Sequence, residues 1–198
     1  MIAEHLAPTP KVWGHDRSAT VGASEIGACI RFVWWQKHDP LPDTGSWGWA
    51  ERGRMVEAWV VERLRAAHVP IQHEQLTLID GSLSATIDLV IRRIDVEIKS
   101  YDPRKYKNIR QHRHDMQVQA QLGLLGASEG VLVYVNCSNL QEIHEFPVLA
   151  DAVTYEALQR RAARIMSETD PKELLPEGRI AGGKECERCP YQERCKET

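Results

Sequence analysis

The sequence predicts an α/β fold: a mixed central β-sheet flanked by helices, with a C-terminal cysteine-cluster tail. Three observations predict it. Two short runs within residues 83–98 alternate apolar and polar side chains with a period of two. The segments 49–68, 106–125 and 151–168 read as helices. Between the last two, Gly130–Asn136 is a short β-branched apolar run, the pattern of a buried strand. Strands mixed with helices in this order suggest a helix-flanked sheet.

The elements follow in order. Residues 1–23, with Pro8, Pro10 and Gly14, read as an irregular lead-in. A first helix spans about Ser24–His38 and is stopped by Pro40 and Pro42. Asp43–Gly48 reads as a loop. A second helix spans Trp49–His68, with Met55, Val56, Trp59, Val60 and Leu64 on one face and Pro70 beyond its end. Asp80-Gly81 is a turn signal. Leu83, Ala85, Ile87, Leu89 and Ile91 then alternate with Ser84, Thr86, Asp88 and Val90. Ile94, Val96 and Ile98 alternate with Asp95, Glu97 and Lys99, and Arg92-Arg93 joins the two strands into an antiparallel hairpin. A helix follows over about Tyr106–Leu125, then the Gly130–Asn136 strand, a turn at Cys137-Ser138-Asn139, and a return strand over Glu142–Val148. The last helix spans Asp151 to about Glu168, with Pro171 and Pro176 beyond it. We read residues 1–198 as one domain, with the core at 24–170 and a tail at 171–198.

The composition is that of an ordinary soluble protein. Of 198 residues, 42% are hydrophobic and 27% charged, and the net charge of -3 is not that of a bulk nucleic-acid coat protein. It is compatible with an acidic metal site beside a local basic patch. No apolar run reaches the ~20 residues of a membrane span, and the N-terminus lacks a signal-peptide pattern. A cytoplasmic protein with no membrane association is expected.

Asp88, Glu97 and Lys99 carry the chemical argument. Glu97 and Lys99 are two apart on one strand, so both leave the same face. The hairpin can bring the polar face carrying Asp88 beside them. Two converging carboxylates form a hard-oxygen site suited to Mg²⁺ or Mn²⁺. A neighbouring lysine can hold or deprotonate a water and offset charge on a phosphate. These are the requirements of phosphodiester hydrolysis. Taken alone, the same residues also read as a hairpin with a solvated charged face.

The run TIDLVIRRIDVEIKSYD resembles the D…ExK core of RecB-type PD-(D/E)xK nucleases. That resemblance implies a restriction-endonuclease-like core, with Asp88 and Glu97 as metal ligands, Lys99 as the catalytic lysine and the Ile98 carbonyl as a further ligand. Upstream, ERGRMVEAWV resembles the first motif of the family, which places Glu57 near the metal after Gly53. Downstream, DMQVQAQLGLLG resembles the glutamine motif, with Gln117 in the glutamine position. Gln121 stands where tyrosine is frequent, and Thr86-Ile87 stand where many members carry glycine or proline. The run Gln117, Gln119, Gln121 is also similar to the phage exonuclease and YqaJ-like branch. Glu57 and Gln117 also read as ordinary exposed helix residues, and it is the order of the motifs that favours the resemblance. Gln117 and Gln121 form an i, i+4 pair, so both can point at one bound strand.

Five cysteines are present, three of them in the tail: Cys186, Cys189 and Cys195. Three thiolates cannot close a four-coordinate site, and Cys29 lies on the first helix. One N-terminal and three C-terminal cysteines resemble the iron–sulfur subgroup of these nucleases, which includes the AddB nuclease domain and CRISPR-associated exonucleases. The resemblance implies a structural [4Fe–4S] cluster stapling the tail to the first helix. A Cys₄ zinc site has the same spacing. Cys137, at the end of a buried strand, reads as a small core residue.

Arg104, Lys105, Lys107, Arg110 and Arg113 form a basic run between the ExK strand and the glutamine helix, placed to meet DNA phosphates or to be a solvated charged loop. Trp34, Trp35, Trp47 and Trp49 lie with Arg31, Arg52 and Arg54. Most of these tryptophans suit the core, whereas Trp47 and Trp49, in a glycine-containing loop, suit a bound strand. Nothing here reads base identity. The sequence therefore predicts a Mg²⁺- or Mn²⁺-dependent DNA exonuclease acting on single strands or ends. Alternatives are an endonuclease of the same fold, a non-catalytic DNA-binding partner subunit, and a zinc-stabilised interaction domain. The resemblance alone implies protein partners in phage recombination or CRISPR adaptation.

Overall fold

The computed structural model describes residues 15–42, 47–105 and 108–197. In order these form β1 (Val21–Gly22), α1 (Ala23–Ile26), α2 (Ile30–His38), α3 (Trp47–Ala66), β2 (Ile71–Asp80), β3 (Leu83–Ile91) and β4 (Ile94–Tyr101). Then come α4 (His112–Leu125), β5 (Glu129–Asn136), β6 (Ile143–Leu149), α5 (Ala152–Ser167), α6 (Glu177–Ile180) and α7 (Gln192–Glu197).

The mixed sheet is organised around β3. Along one side β2 pairs with it antiparallel over nearly its whole length. On the other side β1 pairs parallel at Leu83 and Ser84, whereas β4 pairs antiparallel only at Leu89, Val90 and Ile91. Residues 85–88 lie between these two ladders, where β3 and β4 splay apart. β4 continues parallel to β5 from Asp95↔Gly130 to Tyr101↔Asn136, and β6 closes the sheet antiparallel to β5. The hairpin turn is Arg92-Arg93, with φ of 52° and 69°. Two successive positive φ angles are those of a type I′ turn, whose twist matches that of the strands.

Alternation along the strands distributes the core between two layers. Val96, Ile98, Val133 and Val135 pack with Val56 and Val61 of α3. The intervening Leu132 and Tyr134 turn to the other face, against Val118 and Leu122 of α4. A further apolar cluster joins α1, α2 and α5 through Ile26, Val33, Trp34, Leu158 and Ile165.

The helix expected over Ser24–His38 is broken at residues 27–29. Gly27 lies against the α4 backbone, where a Cβ would come within 2.8 Å of Arg113 Cα. The Arg161 guanidinium donates to the Ile26 and Ala28 carbonyls at 2.9 and 2.7 Å. α2 restarts with the Ile30 N–H donating to Glu177 at 2.8 Å. Tertiary partners thus satisfy the backbone groups that the break exposes. The expected lead-in contributes β1, and Val21 is fully buried. β2 was not expected. It has a register shift between Ile71 and His73, and its consecutive polar residues Gln72–Gln75 show no period of two. Trp47 and Trp49 lie in the first turn of α3, not in a loop. α4 begins at His112 rather than near Tyr106, and residues 106–107, including Lys107, lie outside the described residues. Cys137 is half-buried rather than a core residue. Among the described residues no helix is long and apolar enough to cross a membrane.

Candidate active site

Asp88 stands at the mouth of the β3–β4 splay. The Ile98 N–H donates to Asp88 Oδ2 at 2.8 Å, so a carboxylate occupies the position a strand carbonyl would take in a continued ladder. β4 sends Glu97 and Lys99 to one side, and Lys99 Nζ donates to Glu97 Oε1 at 2.6 Å. The α4 glutamines complete the arrangement. Gln117 Nε2 donates to Glu97 Oε1 at 2.7 Å, and Gln121 Nε2 donates to Glu97 Oε2 at 2.6 Å. Gln121 Nε2 also lies 3.3 Å from the Thr86 carbonyl in the splayed stretch. Gln121, placed on a bound strand by the sequence reading, is instead fully buried behind Glu97.

Glu57 approaches from α3. Gln75 Nε2 bridges it to Asp88, donating to Glu57 Oε1 at 2.5 Å and to Asp88 Oδ1 at 3.2 Å. Gln75 falls opposite Asp88 between the Glu74↔Leu89 and Leu76↔Ile87 pairs, with φ of 50°. Sequence reasoning missed it because it missed β2. Glu57, Gln75, Asp88 and Gln117 line a cavity of about 160 Å³, together with Arg17, Ser24 and Thr86.

The electrostatics reflect crowded negative charge. Burial, then the charges of Glu97 and Glu57, push the Asp88 carboxyl well above the usual carboxylate range. Burial acts to lower the pKa of Lys99, but the Glu97 charge and hydrogen bond and the Asp88 charge outweigh it and raise it. Deeper on β4, Asp95 is fully buried, and among the described residues neither of its carboxyl oxygens has a hydrogen-bond partner. Burial, then Glu97, raise its pKa to about 8. On α4, His114 Nδ1 is 2.7 Å from the Tyr134 hydroxyl. Burial, then Lys99 and Arg113, lower the His114 pKa to about 3.

Among the described residues no three His, Cys, Asp or Glu side chains already converge as a closed ligand set. The acidic oxygens face donors instead. The donor chemistry still fits a hard divalent ion: Glu57, Asp88 and Glu97 repel one another, and a cation among them would relieve that repulsion. Three of the roughly four lone-pair sites of Glu97 accept hydrogen bonds, leaving one open.

The cysteines form a separate constellation. Cys29, Cys186, Cys189 and Cys195 all line one cavity of about 540 Å³ between α2 and the tail. Burial, then the Cys29 and Cys195 thiols, push Cys186 up. The tail is tied down around it. The buried Arg31 donates to the Leu174 and Lys172 carbonyls, and Tyr191 packs on Phe32 and Trp35. Arg31 and Trp35 therefore serve the tail interface, whereas Trp34 Nε1 donates to the Glu168 carbonyl at the end of α5 at 2.8 Å.

The basic run is scattered. Arg104 is paired bidentately with Asp102, and Arg110 with Asp115. Arg113 donates to Gln111 and lines the cysteine cavity. Lys105 lies over the Trp49 ring.

A strand pair splayed over an acid, with an acid and a lysine on the second strand and a glutamine helix behind them, defines a nuclease core. The chain belongs to the PD-(D/E)XK nuclease superfamily, whose model matches residues 14–196. No curated relative matches the sequence. Among solved structures it is similar to SSO0001, with a TM-score of 0.60 and 20% identity over 96% of this chain and 89% of that one. It is similar to LHK-Exo, an alkaline exonuclease from Laribacter hongkongensis, with a TM-score of 0.61 and 12% identity over 86% and 95%. It is also similar to a phage related exonuclease from Haemophilus somnus 129PT, with a TM-score of 0.55 and 9% identity over 82% and 88%. At these identities the likeness is one of fold.

Proposed function

We propose that the protein is a Mg²⁺- or Mn²⁺-dependent DNA exonuclease acting on single strands or DNA ends. The observation that carries this reading is the meeting of Asp88, Glu97 and Lys99 at the splay between β3 and β4. Exonucleases among the structural neighbours support the choice of exo- over endonuclease chemistry. Glu57, Asp88, Glu97 and the Ile98 carbonyl would hold the ion. When bound it polarises a phosphoryl oxygen and lowers the pKa of a coordinated water. Lys99, kept cationic by Glu97, aligns the attacking water and offsets charge on the phosphate. Gln117 and Gln121 fix the Glu97 carboxylate, and Gln117 also reaches the substrate cavity. Exposed Arg104, Lys105, Arg110 and Arg113, with Lys107 of the same run, supply positive charge to the incoming backbone.

The cavity lined by Cys29, Cys186, Cys189 and Cys195 suits a [4Fe–4S] cluster. A single Zn²⁺ ion held by the same four thiolates at about 2.3 Å is the alternative, and the resemblance of the cysteine distribution to the iron–sulfur subgroup supports the cluster. The role of these residues is structural, holding the tail on α2.

The test is digestion of end-labelled DNA, with and without Mn²⁺, after anaerobic purification. Wild type should release short products only with the ion, and Asp88→Ala and Lys99→Ala should not. Unchanged cleavage by either variant would remove the assignment, and cutting of closed circular DNA would replace exonuclease with endonuclease. Iron and zinc analysis with visible absorption decides the cluster: stoichiometric zinc with no visible band would overturn it.

A further inference from the structure

The helix that carries Glu57 holds a second feature that the carboxylate chemistry leaves unused. Trp49, in the first turn of α3, is 48% exposed and belongs to none of the three apolar clusters. Two cations attend its ring. Lys105 Nζ lies 3.6 Å from the ring centroid, and the Arg52 guanidinium carbon lies 4.5 Å from it. Lys105 lies in the segment that follows β4, so the chain leaving the Glu97–Lys99 strand reaches the helix that bears Glu57 at this indole. Gly53 stands midway between Trp49 and Glu57, four residues from each. A Cβ there would meet nothing within 4 Å, so the helix surface between the indole and the carboxylates is open. Eight residues of helix separate Trp49 from Glu57, about 12 Å along the axis. That is roughly three or four nucleotides at the ~3.4 Å spacing of a stacked strand.

We propose that Trp49, attended by Lys105 and Arg52, is a stacking platform for an unpaired base of single-stranded DNA, a few nucleotides from the scissile phosphate. An indole offers a π-face that every base can use, so the platform is indifferent to sequence. Lys105 and Arg52 lie over the ring in the free protein, and a stacking base displaces the flexible Lys105 side chain from the face, so that its ammonium meets an adjoining phosphate. Bases within a duplex keep their faces against one another, so the platform selects unpaired strands or frayed ends. The inference rests on the nuclease reading and adds to it the residue that recognises an unpaired base.

The test is fluorescence anisotropy of an end-labelled oligothymidine in Mg²⁺, on the Lys99→Ala background so that the strand stays intact. Trp49→Ala should bind about tenfold more weakly, and Trp49→Phe should keep most of the affinity. Circular dichroism and the unfolding midpoint of Trp49→Ala should match those of its parent. An abasic site walked along the strand should weaken binding at one position when Trp49 is present, and nowhere in Trp49→Ala. Equal affinity of Trp49→Ala and its parent would overturn the platform. So would an abasic effect that persists in Trp49→Ala, or an equal loss on a blunt duplex. Binding that depends on Trp49 without cleavage by wild type would sink the nuclease reading alone. Cleavage by wild type without that dependence would sink the platform alone.

Discussion

Replacing Gln121 by methionine separates the stability of the fold from the geometry of the site. Methionine matches the length of glutamine and lacks its amide. The substitution removes the 2.6 Å donor to Glu97 Oε2 and the longer contact to the Thr86 carbonyl. Loss of a hydrogen bond to a charged group costs about 1.5–3 kcal/mol. Gln121 Oε1, however, is buried with no partner among the described residues. Removing an orphaned buried acceptor returns about 1–3 kcal/mol. The net change should fall between about 1.5 kcal/mol of stabilisation and 2 kcal/mol of destabilisation. Gln117→Met removes a comparable donor to the same carboxylate, and Gln117 has no such orphan to relieve. It should cost the full ~1.5–3 kcal/mol. Urea unfolding of both variants at neutral pH, with matched m-values, measures the difference. Both should lose cleavage, because each removes a donor that fixes Glu97: Gln121→Met frees Oε2, and Gln117→Met leaves Oε1 held by Lys99 alone. The reasoning is refuted if Gln121→Met is more than about 1 kcal/mol less stable than Gln117→Met, or if it cleaves DNA at the wild-type rate.

Three further predictions concern groups around the site. The folded pKa of Asp95 is raised to about 8 from an ordinary 3.8, so the unfolded chain releases this proton first as pH rises. Stability should therefore decline between about pH 4 and pH 8, by several kcal/mol at ~1.4 per unit, and urea titrations of Asp95→Asn should show the decline flattened. The His114 pKa is lowered to about 3 from 6.5, so stability should instead fall as pH drops from 6.5 towards 3. Allowing for solvent at this half-buried ring, His114→Gln should remove roughly 2 kcal/mol of that acid-side loss in the same titration. Gly27→Ala should cost about 1–3 kcal/mol in thermal unfolding, because its new methyl meets the Arg113 backbone rather than a movable side chain. Cleavage should fall with it, since a displaced α4 carries Gln117 and Gln121 away from Glu97.

What was legible in the sequence was what local periodicity decides. Alternation in residues 83–98 gave the hairpin, and the two-residue spacing of Glu97 and Lys99 placed both on one side of β4. The splay that opens the site was not legible. It depends on β1 holding the start of β3 while β4 holds its end, and β1 came from a stretch without periodicity. β2 was invisible because the consecutive polar residues of its first half carry no alternation, and with it Gln75 was lost. The pairing of Gln117 with Gln121 followed from helical geometry, but whether that face met DNA or the protein interior was set by the packing of α4 on the sheet. The break at residues 27–29 was hidden for a similar reason, since its partners, Arg113, Arg161 and Glu177, are distant in sequence.

The cysteine-lined cavity draws one wall from near the beginning of the chain and the other from residues 186–195. During translation Cys29 leaves the ribosome long before its three counterparts exist. α5 must also emerge before Arg161 can clasp the Ile26 and Ala28 carbonyls beside it. The tail can therefore cover α2 only after the segment through Cys195 has been synthesised, and a chain stopped before it leaves the Phe32 and Trp35 rings without Tyr191.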